Sequence, residues 1–83
     1  MKQNKPLREP DLAVLAKRFR QRAGKNRAEA AREMHVSQTS IFNAEESPEQ
    51  SLLKLRLRMI ESYSSFKVSG PFFLLRKTQS EDL

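Results

Sequence analysis

Apolar residues recur at intervals of three or four along the first third of the chain. The residues that share this spacing are Leu12, Leu15, Ala16, Phe19 and Ala23. Such a period marks one face of an α-helix, and this face is expected to pack into a core. Pro10 suits the first turn of a helix, and Gly24 suits the left-handed residue that follows the last turn. The pattern therefore predicts a first helix that begins near Pro10 and ends before Gly24.

Two helix-start patterns follow, separated by a tight turn. Asn26 and Glu29 form a capping box, in which each side chain accepts a hydrogen bond from the other residue's backbone amide. They predict a second helix over residues 27–34. The hydroxyl of Ser37 is placed to accept a hydrogen bond from a backbone amide two or three residues later. A third helix is therefore expected to begin there and to continue towards Glu45.

Four apolar residues in this region have the spacing of a helix-turn-helix. They are Ala31, Val36, Ile41 and Ala44. In such a unit these side chains fill the crevice between two steeply crossing helices, and the second helix enters the major groove of DNA. The turn carries His35, and histidine tolerates left-handed geometry better than most residues, although glycine adopts it more readily. We interpret His35 as a turn residue, because the chain has no cysteine and no second histidine to complete a metal site.

The region after the third helix carries conflicting patterns. Ser47 and Pro48 have the order of an N-cap followed by the first helical residue. From Leu53 to Met59, however, apolar and basic residues alternate, which on period alone suits a strand. We predict a fourth helix that begins at the Ser47 cap, because Leu, Lys, Arg and Met are strong helix formers. Leu53 and Leu57 lie outside its apolar stripe, so either the C-terminal segment or a second subunit is expected to cover them.

The C-terminal region changes to apolar and aromatic residues around a break at residues 69–71. This change predicts one or two short strands. Six residues of this region are expected to form a dimerisation element: Phe66, Val68, Phe72, Phe73, Leu74 and Leu75. An exposed strand rich in Phe and Leu promotes aggregation, so it has to pair or be covered. We favour strand pairing in a homodimer, and the alternative is folding over the fourth helix of the same chain.

Together these elements predict a mainly α fold. It has four to five short helices, a central helix-turn-helix and a short C-terminal β-strand or hairpin. The predicted organisation is a flexible basic arm at residues 1–8, a helical domain at 9–63, a strand segment at 64–77 and a disordered tail at 78–83. A chain of 83 residues has room for one small core.

The net charge of +6 is unevenly distributed along the chain. Residues 1–35 contain ten Lys or Arg against four acids, whereas residues 36–49 contain three glutamates and no Lys or Arg. The third helix is therefore not cationic, and phosphate contacts have to come from its neighbours. The expected phosphate contacts are Lys25, Arg27, Arg18, Arg22 and Lys54, with Lys17 beside them. Each of these residues is equally consistent with an ordinary solvated surface.

The region from Leu12 to Leu57 resembles the phage Cro and repressor type of helix-turn-helix, often called the Xre-like family. The residues that carry the likeness are Arg20, Gly24, Ala30, Ala31, Val36, Ile41 and Glu45. The resemblance implies a lambda-repressor-like fold and a structural ion pair between Arg20 and Glu45, which ties the first helix to the third. His35 departs from the family's pattern, in which this turn residue is usually glycine.

The first turn and the outward face of the third helix are expected to contact base edges. These residues are Ser37, Gln38, Thr39, Phe42 and Asn43. Glutamine and asparagine pair with adenine, while the Thr39 methyl group and the Phe42 ring suit thymine methyl groups, so we expect A/T-containing positions. Ser37 is equally suited to the role of a cap alone. An outward Phe42 also suits contact with a protein partner.

The predicted function is sequence-specific binding of double-stranded DNA by a small dimeric regulator, a repressor that occupies its operator. The alternative is an antitoxin or another protein-interaction module whose C-terminal segment binds a toxin-like partner. An enzyme, a cofactor or a small-molecule substrate is not expected, because the chain has no nucleophile motif, glycine-rich phosphate loop or metal cluster. It also has no apolar run long enough for a signal peptide or membrane span, so we expect a soluble cytoplasmic protein without membrane association.

Overall fold

The computed structural model describes residues 7–69 and 74–77. Within these residues the chain forms four helices followed by a two-stranded hairpin. The elements are α1 Glu9–Arg22, α2 Arg27–Met34, α3 Gln38–Glu46, α4 Leu53–Ser62, β1 Phe66–Ser69 and β2 Leu74–Lys77. This architecture confirms the prediction of a mainly α fold with a C-terminal hairpin. Most of the predicted basic arm, the predicted tail at 78–83, and Phe72 and Phe73 lie outside the described residues.

Local interactions fix both ends of α1. The backbone amide of Arg8 donates to Asp11 Oδ2 at 2.8 Å in the first turn. Gly24 follows the helix with a φ of 77°, a left-handed conformation that glycine adopts without strain. The buried face differs slightly from the predicted stripe, since Ala13 is buried and Ala23 is exposed. Ala23 follows the last helical residue, so it no longer continues the stripe.

The caps of α2 and α3 form as predicted. Asn26 Oδ1 accepts a hydrogen bond from the backbone amide of Glu29 at 2.8 Å, and Glu29 Oε1 accepts one from the amide of Asn26 at 2.8 Å. Ser37 Oγ accepts a hydrogen bond from the backbone amide of Ser40 at 3.0 Å. Between the helices, His35 has a φ of 61° and a ψ of 46°, which is the left-handed geometry of this turn.

The predicted start of α4 is wrong. Residues 48–50 form a turn in which the Gln50 amide donates to the Ser47 carbonyl at 2.9 Å, and α4 begins only at Leu53. Ser47 instead follows the last residue of α3 as its C-cap. A helix that began at Ser47 would use the carbonyls of Ser47 and Gln50 for its own backbone hydrogen bonds. In the folded chain the guanidinium of Arg56 donates to both carbonyls, and the Ser47 carbonyl also accepts from the Gln50 amide of the turn.

Arg56 is fully buried and connects several parts of the chain. Its guanidinium donates to three backbone carbonyls and one carboxylate, namely Ala44 O at 2.9 Å, Ser47 O at 2.8 Å, Gln50 O at 2.7 Å and Glu9 Oε2 at 2.8 Å. A buried guanidinium is tolerated only when its charge and its donors are satisfied. These bonds hold the loop between α3 and α4 against the beginning of α1.

The core lies between α1 and the other three helices. Its fully buried apolar side chains are Leu12, Ala13, Ala16, Ala30, Ile41, Ala44, Met59 and Ile60. Leu53 and Leu57, which lie outside the main stripe of α4, are half-buried and pack against this core. The core of the same chain thus buries part of each leucine, and cover by the C-terminal segment or a second subunit stays a prediction.

The hairpin packs on the helices of its own chain. β1 pairs with β2 in antiparallel fashion, with Phe66 opposite Lys77. The Phe66 ring stacks on Phe19 of α1 with ring centroids 5.8 Å apart, and Val68 also packs against the core. The two strands thus pair with each other within one chain, and the homodimer stays a prediction.

Replacing His35 with glycine is expected to raise the free energy of unfolding by about 0.5–1 kcal/mol. Loss of the Cβ relieves left-handed strain of about 1–2 kcal/mol, and greater freedom of the unfolded chain offsets part of that gain. Chemical denaturation followed by circular dichroism measures the change. His35→Ala is the matched control, because alanine keeps the Cβ and should not stabilise the protein. Equal stabilisation by both variants would contradict the strain argument.

Replacing Arg56 with methionine is expected to lower the free energy of unfolding by about 3–5 kcal/mol, because buried acceptors lose their donor and Glu9 loses its partner. The same denaturation experiment checks this value. Arg58→Met is the control on the same helix, since within the described residues the exposed Arg58 donates a single hydrogen bond, to the Met34 carbonyl at 2.9 Å. Its loss should cost about 1 kcal/mol or less. Similar losses of unfolding free energy for the two variants would show that the buried hydrogen bonds of Arg56 do not contribute more to stability than the exposed one of Arg58.

Candidate nucleic-acid interface

The inner face of α3 holds this helix against α1 and α2. Ile41 and Ala44 are fully buried, and Glu45 is 5% exposed. On the other side of the crevice Ala31 is buried, and Val36 of the turn is half-buried. A carboxylate and two apolar side chains therefore share the buried face, so the opposite face of α3 is left to the solvent.

Two arginines from different helices meet the carboxylate of Glu45. Arg20 on α1 donates from Nε to Oε2 at 2.5 Å and from Nη2 to Oε1 at 3.0 Å. Arg27 on α2 donates from Nε to Oε1 at 2.9 Å. The Glu45 side chain has no exposed surface, and that of Arg20 is 7% exposed. The ion pair that the resemblance implied is present, and Arg27, which was expected at a phosphate, extends it.

The residues expected to contact bases lie mainly on the outer side of α3. Ser37, Gln38 and Thr39 are exposed at its N-terminal end, and Phe42 is 47% exposed one turn later. Asn43 is half-buried, and its Oδ1 accepts a hydrogen bond from the hydroxyl of the C-cap serine at 3.5 Å. The first four residues therefore face the solvent, whereas Asn43 lies at the margin of this surface.

Phe42 is partly covered by Arg27. The guanidinium carbon of Arg27 lies 4.9 Å from the centroid of the Phe42 ring, within the range of a cation–π interaction. The contact places the start of α2 beside the exposed face of α3. Nothing in the sequence connects these two residues, because local patterns do not show which residues of two crossing helices come together.

Three of the expected phosphate contacts are exposed but lie in different parts of the surface. Arg18 lines a cleft between α1 and the C-terminal end of α3. Lys54 lines a groove of about 540 Å³ beside the turn that precedes α3. Arg22 instead lines a cleft between the end of α1 and the hairpin, next to Phe66. Arg18 and Lys54 thus flank α3, whereas Arg22 lies on the hairpin side.

The other two expected phosphate contacts are engaged in ion pairs. Lys25 Nζ lies 2.8 Å from Glu33 Oε2, and Arg27 Nη2 lies 2.8 Å from Glu46 Oε2. The same Glu46 oxygen also contacts Lys17 Nζ at 2.7 Å. Glu46 was not among the predicted site residues, because its partners come from two other helices and leave no local pattern.

These ion pairs shift several pKa values. The hydrogen bond from Lys17 lowers the pKa of Glu46 below the ordinary value of 4.5, and the hydrogen bond from Lys25 does the same to the pKa of Glu33. Burial, together with a 2.6 Å hydrogen bond to Glu33, raises the pKa of Tyr63. At neutral pH the two carboxylates are therefore fully anionic, and the tyrosine hydroxyl remains protonated.

The groove beside the turn combines apolar and basic side chains. Its lining residues are Val36, Ser40, Ser51, Leu52, Leu53, Lys54, Leu55 and Arg58. Arg58 donates to the Met34 carbonyl at the end of α2, a position at which a cation is favourable. Arg58 was not among the predicted phosphate contacts, although its spacing of four residues from Lys54 places both cations on one side of α4.

Neither a metal cluster nor a membrane-spanning helix is found in the part of the chain that the structure describes. No group of three or more His, Cys, Asp or Glu side chains in residues 7–69 and 74–77 is arranged to hold a metal ion. Within the same residues, no helix has the length and apolar character required to cross a membrane.

No family model, curated protein or solved structure matches this chain. The α3 surface and the charges around it are therefore the basis for a functional proposal.

The buried ion pair between Arg20 and Glu45 is expected to show strong coupling in a double-mutant cycle. Glu45→Met alone should cost about 3–5 kcal/mol of unfolding free energy, because it leaves the buried guanidinium of Arg20 without a carboxylate. Arg20→Met alone should cost less, because Arg27 Nε still donates to Glu45. The double variant should lose less than the sum, with a coupling of about 1–3 kcal/mol. Denaturation of all four proteins measures the cycle. Purely additive losses would mean that the two side chains stabilise the fold independently.

Proposed function

We propose that this protein binds double-stranded DNA sequence-specifically by placing α3 in the major groove. The observation that supports this proposal is the division of α3 into two faces. Buried apolar side chains and Glu45 fix the inner face, while exposed hydrogen-bonding side chains occupy the outer face. An α-helix with its side chains is about 10–12 Å across, and the major groove is about 12 Å wide. A helix that is anchored on one side only is suited to enter that groove.

The N-terminal end of α3 reads the bases in this proposal. Gln38 is exposed and can form paired hydrogen bonds with N6 and N7 of adenine. The methyl group of Thr39 and the ring of Phe42 contact thymine methyl groups. Ser37 Oγ already caps the helix and lies 3.1 Å from the Ser40 hydroxyl, where either hydroxyl can donate. When Ser40 donates, the Ser37 proton is suited to a base or phosphate oxygen.

Cations on two sides of α3 hold the DNA backbone. Arg18 on α1 and Lys54 on α4 are exposed and flank the helix. Phosphate contacts of this kind supply affinity that is independent of sequence and weakens with salt. Arg22 is assigned no phosphate in this proposal, because it lines a cleft beside the hairpin instead of α3.

We further propose that two copies act together as a cytoplasmic repressor that occupies its operator. A dimer with two-fold symmetry places its recognition helices in successive major grooves, about 34 Å apart. A two-stranded hairpin has strand edges to which a strand from a second copy can add. This property supports the C-terminal segment as the dimerisation element.

Selection of bound duplexes from a random-sequence DNA pool tests the proposal. The experiment is run near physiological salt, so that attraction to phosphate alone does not dominate. Enrichment of a pseudo-palindrome with A/T-containing half-sites is the expected result. Failure to enrich any sequence would contradict sequence-specific binding and would favour the alternative, a protein-interaction module that binds a toxin-like partner.

Replacing Gln38 with alanine is expected to relax specificity at one base pair of each half-site, at a cost of about 1–3 kcal/mol in discrimination. Binding titrations with the selected operator and with operators substituted at single positions measure this change. Gln50→Ala is the matched control, since its exposed side chain lies in the loop after α3 and the substitution keeps the backbone carbonyl that binds Arg56. If Gln38→Ala weakened binding to every sequence equally, Gln38 would not be a base contact.

A further inference from the structure

Three charged side chains from three helices meet at the C-terminal end of α3. Lys17 Nζ of α1 and Arg27 Nη2 of α2 lie 2.7 Å and 2.8 Å from the same oxygen, Glu46 Oε2 of α3. The three side chains are 39%, 30% and 34% exposed, in the order Lys17, Arg27 and Glu46. This cluster therefore lies at the surface, in contrast to the buried pair of Arg20 and Glu45 beneath it.

An ammonium and a guanidinium that converge on one anionic oxygen form the arrangement that binds a phosphodiester oxygen. Charge-assisted hydrogen bonds of this type have donor–acceptor distances of about 2.7–2.9 Å, for carboxylate and for phosphate acceptors alike. Lys17 and Arg27 are therefore already at the spacing of a phosphate contact, and the carboxylate of Glu46 occupies the position of the phosphate oxygen.

Arg27 has other contacts that hold its side chain in place if the Glu46 carboxylate leaves. Its Nε donates to the buried Glu45 at 2.9 Å, while the separate Nη2 atom contacts Glu46. The guanidinium also lies over the Phe42 ring at 4.9 Å. The contacts with Glu45 and Phe42 therefore keep the Arg27 side chain oriented when a phosphate replaces Glu46. The replacement thus costs little additional side-chain entropy.

The cluster borders the face of α3 that is proposed to enter the major groove. Glu46 follows Phe42 by four residues, and residues four apart lie on the same side of a helix. Arg27 contacts both of these residues. A DNA strand that runs along the edge of the occupied groove would therefore bring a phosphate near Lys17 and Arg27.

We propose that Glu46 is a built-in competitor of DNA phosphate, which holds Lys17 and Arg27 in the free protein and is displaced from both cations by a phosphodiester oxygen on binding. This inference rests on the proposed function. The displaced carboxylate remains close to the phosphate and repels it, so Glu46 lowers affinity for all DNA sequences. Base contacts by α3 then have to supply the remaining affinity, which keeps the protein from accumulating on DNA without an operator.

The test compares Glu46→Gln with the wild-type protein by fluorescence anisotropy on a labelled duplex of unrelated sequence and on the selected operator. Salt is varied from about 0.05 to 0.3 M. Glu46→Gln should bind both duplexes about 5- to 30-fold more tightly near physiological salt. The slope of log affinity against log salt should steepen by about 1 or less per protomer, since the variant removes one carboxylate charge that offsets the two cations and each neutralised phosphate contributes about 0.9.

Glu61→Gln is the matched control for the change in net charge. Glu61 is exposed on α4, and its carboxylate accepts a hydrogen bond from the Val68 amide at 3.3 Å, which glutamine can still accept. An equal gain from Glu46→Gln and Glu61→Gln would overturn the inference, because net charge alone would then explain both.

Lys17→Gln, alone and combined with Glu46→Gln, tests whether the gain in DNA affinity depends on the Lys17 ammonium that Glu46 no longer holds. The gain from Glu46→Gln should shrink at least threefold when Lys17 is absent, whereas an undiminished gain would overturn the inference. If the wild-type protein binds DNA and Glu46→Gln binds it with the same affinity, the inference about Glu46 is overturned, while the proposed function stands. If the wild-type protein binds neither duplex, the proposed function fails and the inference fails with it.

Discussion

The buried carboxylate of Glu45 is the constraint on which the arrangement of the first three helices depends. A carboxylate without exposed surface needs a positive partner, because the cost of burying an unpaired charge is large. Arg20 from α1 and Arg27 from α2 both supply one. The three helices can therefore pack only in orientations that bring these side chains together, which fixes the crossing of α2 and α3 more narrowly than apolar packing alone.

Arg56 fixes the same end of α3 with a charge of the opposite sign. It donates to the carbonyl of Ala44, the residue immediately before Glu45. The two neighbouring residues are thus held by a buried guanidinium through the backbone and by two arginines through the side chain. Because most partners of Arg56 are backbone carbonyls, it also determines the course of the loop that leads to α4.

This double attachment has a consequence for the surface. A helix held at its inner face and at its C-terminal end presents its outer side chains in fixed directions, as the proposed recognition of base edges requires. The cations around α3 form two groups, one buried in the fold and one exposed at the surface. Arg20 and Arg56 are buried in the fold, whereas Arg18 and Lys54 are exposed, and Arg27 takes part in both because it lies between Glu45 and Glu46.

The sequence by itself determined the helix boundaries that depend on neighbouring residues. The caps at Asn26 and Ser37 and the glycine after α1 act over three or four residues, so their patterns were sufficient. The tertiary structure decided the start of α4, since Arg56 draws the carbonyls of Ser47 and Gln50 away from a helix across several residues.

The tertiary structure also decided which charges meet. The pair of Arg20 and Glu45 was expected only from a family resemblance, and nothing local indicated that Lys17 and Arg27 share one oxygen of Glu46 or that Arg22 lies beside the hairpin. Caps and turns are set by backbone geometry over one helical turn, which the order of residues encodes directly. Ion pairs between helices depend on crossing angles, and these are fixed only when the buried charges and the core pack together.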